Sequence, residues 1–159
     1  MMNAAELGWD ESTVGEIDHR RLKAPHVKLR SATKGPAGDA VYCVDLRLAA
    51  PNGVVLSTTA MHSLEHFLLA GFRKYLPESF LSVAPMGCRT GFYLVLLNEG
   101  RAQKIFDAFE RILADIVQAV EVPYATAEQC GNYRDHDVQL ARRIAGRVLA
   151  ARARWNQVV

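Results

Sequence analysis

Two histidines four residues apart, with a glutamate between them, stand in the stretch His62-Ser63-Leu64-Glu65-His66. On a helix turning ~100° per residue, His66 lies about 40° around from His62 and Glu65 about 60° to the other side. Two imidazoles so placed can grip one divalent ion, and the carboxylate beside them can move a proton. Zinc and ferrous iron both take nitrogen and thiolate donors, and a catalytic site keeps a position open for water or substrate. Cys130 is the best third donor, because Gly131 beside it permits close backbone approach, whereas Cys43 falls within a strand pattern. Spacing alone leaves a second reading open, in which His62 faces solvent, His66 bonds a neighbouring carbonyl and Cys130 is simply buried. The order His-x-x-Glu-His also matches the inverted zinc-protease signature, whose glutamate activates a metal-bound water. That class needs a further acidic ligand downstream, for which Glu110, Glu121 and Glu128 are the candidates.

Cys88 is a second chemical handle. Gly87 and Gly91 make its turn narrow, and the charge of neighbouring Arg89 would favour a thiolate. A buried structural thiol fits the same residues. Arg47 and His19 suit an anionic or polyhydroxy ligand, a role that spacing does not separate from a structural one.

The elements that must position these residues follow from periodicity. Residues 1–13 read as a weakly ordered, flexible arm that Leu7, Trp9 and Val14 could anchor. Val27, Leu29 and Ser31 begin an alternation that stops in the turn-rich residues 34–39. Val41, Cys43, Asp45 and Arg47 then alternate against Tyr42, Val44, Leu46 and Leu48, a strand whose polar face carries Asp45 and Arg47. Ser57, Thr58 or Thr59 caps a helix reaching about Tyr75, with Pro77 beyond it. Phe92 to Leu97 reads as a buried strand. Ile105, Phe109, Ile112, Ile116 and Val120 recur at helical spacing across residues 101–120. A last helix starts at Asp135 or His136 and runs to about Trp155. Locally paired strands with helices over one face predict an α+β fold, an antiparallel sheet packed against helices in two layers.

The 159 residues allow one domain with a full core and not two. A net charge of +2 is too balanced to argue for a nucleic-acid partner. No apolar run reaches bilayer length, so no membrane association is expected. The first residues lack the pattern of an export signal, which gives a cytoplasmic expectation. The three cysteines, an odd number without disulfide rhythm, suit a reducing compartment.

Taken together, the chain closely resembles the S-ribosylhomocysteine lyase (LuxS) family. The resemblance runs from Ile17-Asp18-His19 to Asp135-His136 through Ala24-Pro25-His26-Val27, Asp45-Leu46-Arg47, Pro51-Asn52, His62-Ser63-Leu64-Glu65-His66, the run from Pro85 to Tyr93, and Cys130-Gly131-Asn132. It implies a homodimer with two active sites at the subunit interface and a single lyase domain over residues 1–159. His62, His66 and Cys130 match the family's metal ligands, for one divalent ion per subunit, generally Fe(2+), with Zn(2+) also able to occupy the site. Glu65 and Cys88 match its acid/base residues. His19 and Arg47, with Asp45 in the same motif, match the part that shapes the substrate pocket, possible reach from the neighbouring subunit included. The implied reaction cleaves S-ribosylhomocysteine to homocysteine and 4,5-dihydroxypentane-2,3-dione, the precursor of autoinducer-2, within methyl-cycle turnover. The chain departs from the family pattern at Ser63, where threonine is usual. It departs again at Ser82-Val83-Ala84, where many members carry Asp-x-Ser, and at Val14, where some have serine. The segment between Tyr75 and Phe80 is also compressed.

Overall fold

A computed structural model describes residues 3–159. Four strands, β1 (His26–Lys34), β2 (Ala40–Arg47), β3 (Phe80–Pro85) and β4 (Gly91–Leu97), form one sheet in the order β1-β2-β4-β3, with every pairing antiparallel. Three helices, α1 (Thr58–Tyr75), α2 (Ala102–Gln118) and α3 (Val138–Ala150), complete the α+β architecture. None of the helices among the described residues is long and apolar enough to cross a membrane.

The period-two pattern sets which strand residues enter the core. In β2 and β4, Tyr42, Val44 and Leu46 pair with Leu96, Leu94 and Phe92, so six apolar side chains share one face. They join Val27 and Leu29 of β1 and the apolar sides of α1 and α2, among them Leu64, Leu68, Phe72, Ile105, Phe109, Ile112 and Ile116. Burying such side chains stabilises the fold by roughly 1.5–3 kcal/mol each. Helices α1 and α2 approach closely at Gly71, where a Cβ would lie 2.4 Å from Ile112 Cγ1.

Ser57 is the residue that caps α1, its hydroxyl accepting from the Ala60 amide at 3.1 Å. Helix α2 ends at Gln118, earlier than its hydrophobic repeat suggests, and Val120 is left 85% exposed. Pro123 cannot continue a helix, and the chain turns before reaching it. Helix α3 starts later than expected, at Val138, because Asp137 is its cap and accepts from the Leu140 amide at 2.8 Å. This leaves Asp135 and His136 in the preceding loop. At the amino end, Trp9 is buried and its indole N–H donates to the Gly100 carbonyl at 2.7 Å.

The second face of the sheet is covered as well at one end. Asp45 and Arg47 of β2 sit opposite Lys28 and His26 of β1, and all four are almost fully buried. Residues 15–23 supply partners: the Lys28 ammonium donates to the Gly15 carbonyl, and His26 Nδ1 donates to the Lys23 carbonyl at 2.5 Å. With Nδ1 so engaged, His26 Nε2 has no hydrogen-bond partner. Burial, with the charges of Arg47 and Lys28, pushes His26 down to about 4 despite its bond to Lys23. The unfolded chain, with histidine near 6.5, takes up a proton over an interval in which the folded protein does not. Stability is therefore present above pH 6.5 and is lost as pH falls from there toward 4, by about 3 kcal/mol for this group. Urea unfolding at pH 7 and pH 4.5 checks this: His26→Gln should show a loss between the two pH values smaller by about 2 kcal/mol, since part of the effect falls below pH 4.5. An identical acid loss in both proteins would remove His26 as its source.

Candidate active site

The first half of α1 presents His62, Glu65 and His66, and the loop before α3 comes back across it. His62 Nδ1 lies 3.0 Å from the Asp135 carbonyl, and His66 Nδ1 lies 2.7 Å from the Pro123 carbonyl. A carbonyl can only accept, so both rings hold a proton on Nδ1, which makes Nε2 the nitrogen each can offer to a metal. Cys130 Sγ stands 3.3 Å from His62 Nε2, so residues 68 positions apart in sequence meet there.

A fourth donor, which the sequence reading missed, joins them. His136 Nε2 lies 3.7 Å from Cys130 Sγ, and its ring centroid is 4.0 Å from that of His62 and 4.5 Å from that of His66, tilted against both. Ser63 settles its tautomer. The Ser63 hydroxyl donates its one proton to the Thr59 carbonyl at 2.8 Å and accepts from the Asp137 amide at 2.9 Å. Toward His136 Nδ1, 3.4 Å away, Ser63 can only accept, so that nitrogen holds the proton and Nε2 is bare. Burial, reinforced by His62 and His66, pushes His136 down to about 4, which keeps the ring neutral at neutral pH. The only signal in the sequence was a histidine six positions after Cys130 in the same loop. A serine in place of the usual threonine keeps the hydroxyl on which this bracing depends.

One ligand atom from each of His62, His66, Cys130 and His136 lies within 4.8 Å of the others. Three imidazoles and a thiol form a donor set for zinc or ferrous iron, and the group can hold one such ion. It contains no carboxylate, so Glu110, Glu121 and Glu128 do not supply the acidic ligand that the protease signature requires.

Glu65 lies next to this group, its carboxylate 3.7 Å from His66 Nε2. It also lines a cleft of about 450 Å³ with His62, Met61, Met86, Gly87, Arg89 and Asn132 among others. Cys88 is not itself among the lining residues but sits between Gly87 and Arg89, which are, so the cleft runs from His62 of the donor group to the β3–β4 turn that carries this thiol.

That turn is tied down on both sides. Its own bonds run from the Met86 amide to the Gly91 carbonyl and from the Arg89 amide to the Met86 carbonyl, at 2.8 and 2.9 Å. The Thr90 carbonyl accepts from the Leu48 and Ala49 amides, and the Arg89 carbonyl from the Leu56 amide. Arg89 is held at φ 57°, a left-handed conformation that is costly for a residue with a Cβ. Gly91 is required for a different reason: a Cβ there would lie 2.2 Å from the Leu46 carbonyl oxygen.

The charge beside Cys88 comes from Arg47 and not from Arg89. Arg47 Nη1 lies 3.8 Å from Cys88 Sγ and 2.6 Å from Thr90 Oγ1, and Thr90 Oγ1 is itself 3.0 Å from the sulfur. Burial opposes ionisation of Cys88, but the hydrogen bonds of Thr90 and the charge of Arg47 outweigh it and hold the thiol below its ordinary value. Asp45 lies beneath, 3.5 Å from Arg47 Nη2 and 3.8 Å from Lys28 Nζ, where it contacts Arg47 from within the protein. Arg47 Nε and Asp45 Oδ1 are buried without partners. His19 stands exposed on the short turn His19–Arg21, its Nδ1 3.1 Å from the Ile17 carbonyl, and it is not among the residues lining the cleft.

Comparison with known proteins agrees with this arrangement. The family model for S-ribosylhomocysteinase (LuxS) matches residues 14–159. An S-ribosylhomocysteine lyase of Thermus thermophilus is 45% identical over 144 residues, spanning 90% of this chain and 92% of the relative. Another, from Dichelobacter nodosus, is 42% identical over 142 residues, 89% of this chain and 92% of the relative. A third, from Chromohalobacter salexigens, is 39% identical over 142 residues, 89% of this chain and 91% of its own length. With the family model matching nearly the whole chain and relatives this similar end to end, the chain belongs to the S-ribosylhomocysteinase (LuxS) family.

Proposed function

We propose that this protein cleaves S-ribosylhomocysteine to homocysteine and 4,5-dihydroxypentane-2,3-dione. The observation that carries the reading is the cleft that runs from His62 of the three-histidine, one-cysteine donor group, past the Glu65 carboxylate, to Gly87 and Arg89 on either side of Cys88, whose thiol is held below its ordinary value. The names of the relatives point to the same reaction. His62, His66 and Cys130, with His136 beside them, hold one divalent ion per chain, Fe(2+) in the cell, with Zn(2+) also able to bind. When bound, the ion supplies a Lewis acid for the carbonyl and hydroxyl oxygens of the opened sugar.

The chain's own groups move the protons. Cys88, as thiolate, and Glu65 take protons from carbon and exchange them with oxygen, so that the carbonyl migrates from C1 to C2 and then to C3. With the carbonyl at C3, the C4 hydrogen is acidic and the thioether at C5 lies in the beta position. Removal of the C4 proton forms a C4–C5 double bond and expels homocysteine as thiolate, and the enol left at C4 then gives up its hydroxyl proton and gains one at C5 to become the second ketone of the dione. No net oxidation occurs, since the isomerisations only relocate a carbonyl and the last step is an elimination. Arg47, backed by Asp45, holds negative charge at the Cys88 side of the pocket.

The working unit in this reading is a cytoplasmic homodimer with active sites at the subunit interface. Exposed His19 then reaches the substrate of the neighbouring subunit. The whole chain forms one lyase domain, and the arm of residues 1–13, whose first two residues lie outside the described ones, is fastened to it by buried Trp9. Anaerobically purified protein tests the reading by metal analysis paired with release of free thiol from S-ribosylhomocysteine. About one ion per chain and metal-dependent homocysteine formation are expected; a fully metallated dimer without turnover would sink the assignment.

A further inference from the structure

Thr90 lies one residue beyond the Cys88–Arg89 pair and is 1% exposed, so water does not reach its side chain. Its hydroxyl has two polar neighbours of interest: Arg47 Nη1 at 2.6 Å and Cys88 Sγ at 3.0 Å. A guanidinium can only donate, so Thr90 Oγ1 must accept from Arg47. The single hydroxyl proton is thereby free to point at the sulfur, 3.0 Å away. We propose that Thr90 is a positioning residue whose hydroxyl, clamped by Arg47, commits its proton to Cys88 and so aims and sustains the thiolate. The assignment rests on the reading of Cys88 as a proton carrier.

The surrounding charges do not replace this bond. From β2, Arg47 faces the sulfur at 3.8 Å, but its other nitrogen is engaged with Asp45 at 3.5 Å. From β1, Lys28 pairs with the same Asp45 at 3.8 Å, and His26 sits opposite Arg47 in the strand register. Within the turn, Arg89 lines the cleft, as does Glu65 of α1. Positive and negative groups thus offset one another behind Arg47, while the Thr90 hydroxyl acts on the sulfur at direct contact. A hydrogen bond to a charged acceptor is stronger than one between neutral groups, and it is lost in full when the donor is removed.

The test is the pH dependence of Cys88 alkylation by iodoacetamide in the metal-loaded protein. Trypsin cuts after Lys74 and Arg89, and the resulting peptide holds Cys88 as its only cysteine, so its labelling is read apart from Cys43 and Cys130. Thr90→Val keeps the shape and removes the donor, and should move the alkylation midpoint upward by ~1–2 pH units. Thr90→Ser keeps the hydroxyl and should stay within a few tenths of a unit of the parent. Where Thr90→Val does not fold, Thr90→Ala, which adds no bulk, gives the same reading. A folded Val or Ala variant with an unmoved midpoint overturns the assignment, as does a Ser variant that shifts as far as Val. Alkylation is read without substrate, so failure of the lyase reading would show in thiol release by the parent protein and leave this result standing by itself. If both hold, the acid limb of the turnover profile in Thr90→Val moves upward with the alkylation midpoint.

Discussion

Glu65→Gln and Cys88→Ala are each expected to keep the bound metal and to lose turnover of S-ribosylhomocysteine by about 10²–10⁴-fold, the usual worth of a positioned acid/base group. Neither residue belongs to the donor group, so its replacement leaves three imidazoles and the Cys130 sulfur in place. Glutamine keeps the size of Glu65 and its hydrogen-bonding capacity but cannot carry a proton between atoms. Alanine at 88 removes the sulfur that Thr90 and Arg47 are arranged around. The two losses should not multiply in the double variant, because both groups serve the same sequence of proton transfers. The comparison requires equal metal occupancy, measured on the same samples as thiol release. Near-native rates in both single variants would contradict the assigned roles.

Cys130→Ala should act differently and lose the metal first. It removes the only sulfur from the donor group, and loss of one inner ligand is expected to weaken affinity on the order of 10²-fold or more. Competition with a chelator of known affinity measures this without recourse to activity. His136→Ala should fall between Cys130→Ala and the parent, roughly 10–100-fold weaker, because its Nε2 stands farther from the sulfur than that of His62, 3.7 against 3.3 Å. Parent-like affinity in His136→Ala would show that this imidazole does not act on the ion. Ser63→Ala bears on the same point: it removes the hydroxyl that accepts from His136 Nδ1 and from the Asp137 amide, so it should loosen His136 while leaving His62 and His66 held by their carbonyls.

What could be read directly from the chain was whatever depends on near neighbours. The i, i+4 spacing of His62 and His66 puts both on one side of a helix wherever that helix lies, and Ser57 caps it through an amide three residues on. Alternation in residues 41–48 assigns Val44 and Leu46 to one face and Asp45 and Arg47 to the other, again by local geometry. Gly131 beside Cys130 and the narrow Gly87–Gly91 turn around Cys88 made both cysteines candidates, and resemblance to the family turned those candidates into a metal ligand and an acid/base residue. The tertiary structure decided the rest, because it turns on contacts between residues far apart in the chain. Alternation does not tell that the polar face of β2 is buried: Asp45 and Arg47 are almost fully shielded, and their β1 partners Lys28 and His26 bond to the Gly15 and Lys23 carbonyls of a segment outside the sheet. Whether His136 opens a helix or faces Cys130 depends on Asp137 taking the cap and on a serine 73 positions earlier. The charge beside Cys88 comes from Arg47, 41 residues away, since a hairpin turn points adjacent side chains in different directions and only sheet register brings Arg47 across from Gly91. Periodicity encodes the direction of a side chain from its own backbone; what that side chain meets is set by how the sheet, α1 and the loop before α3 pack together.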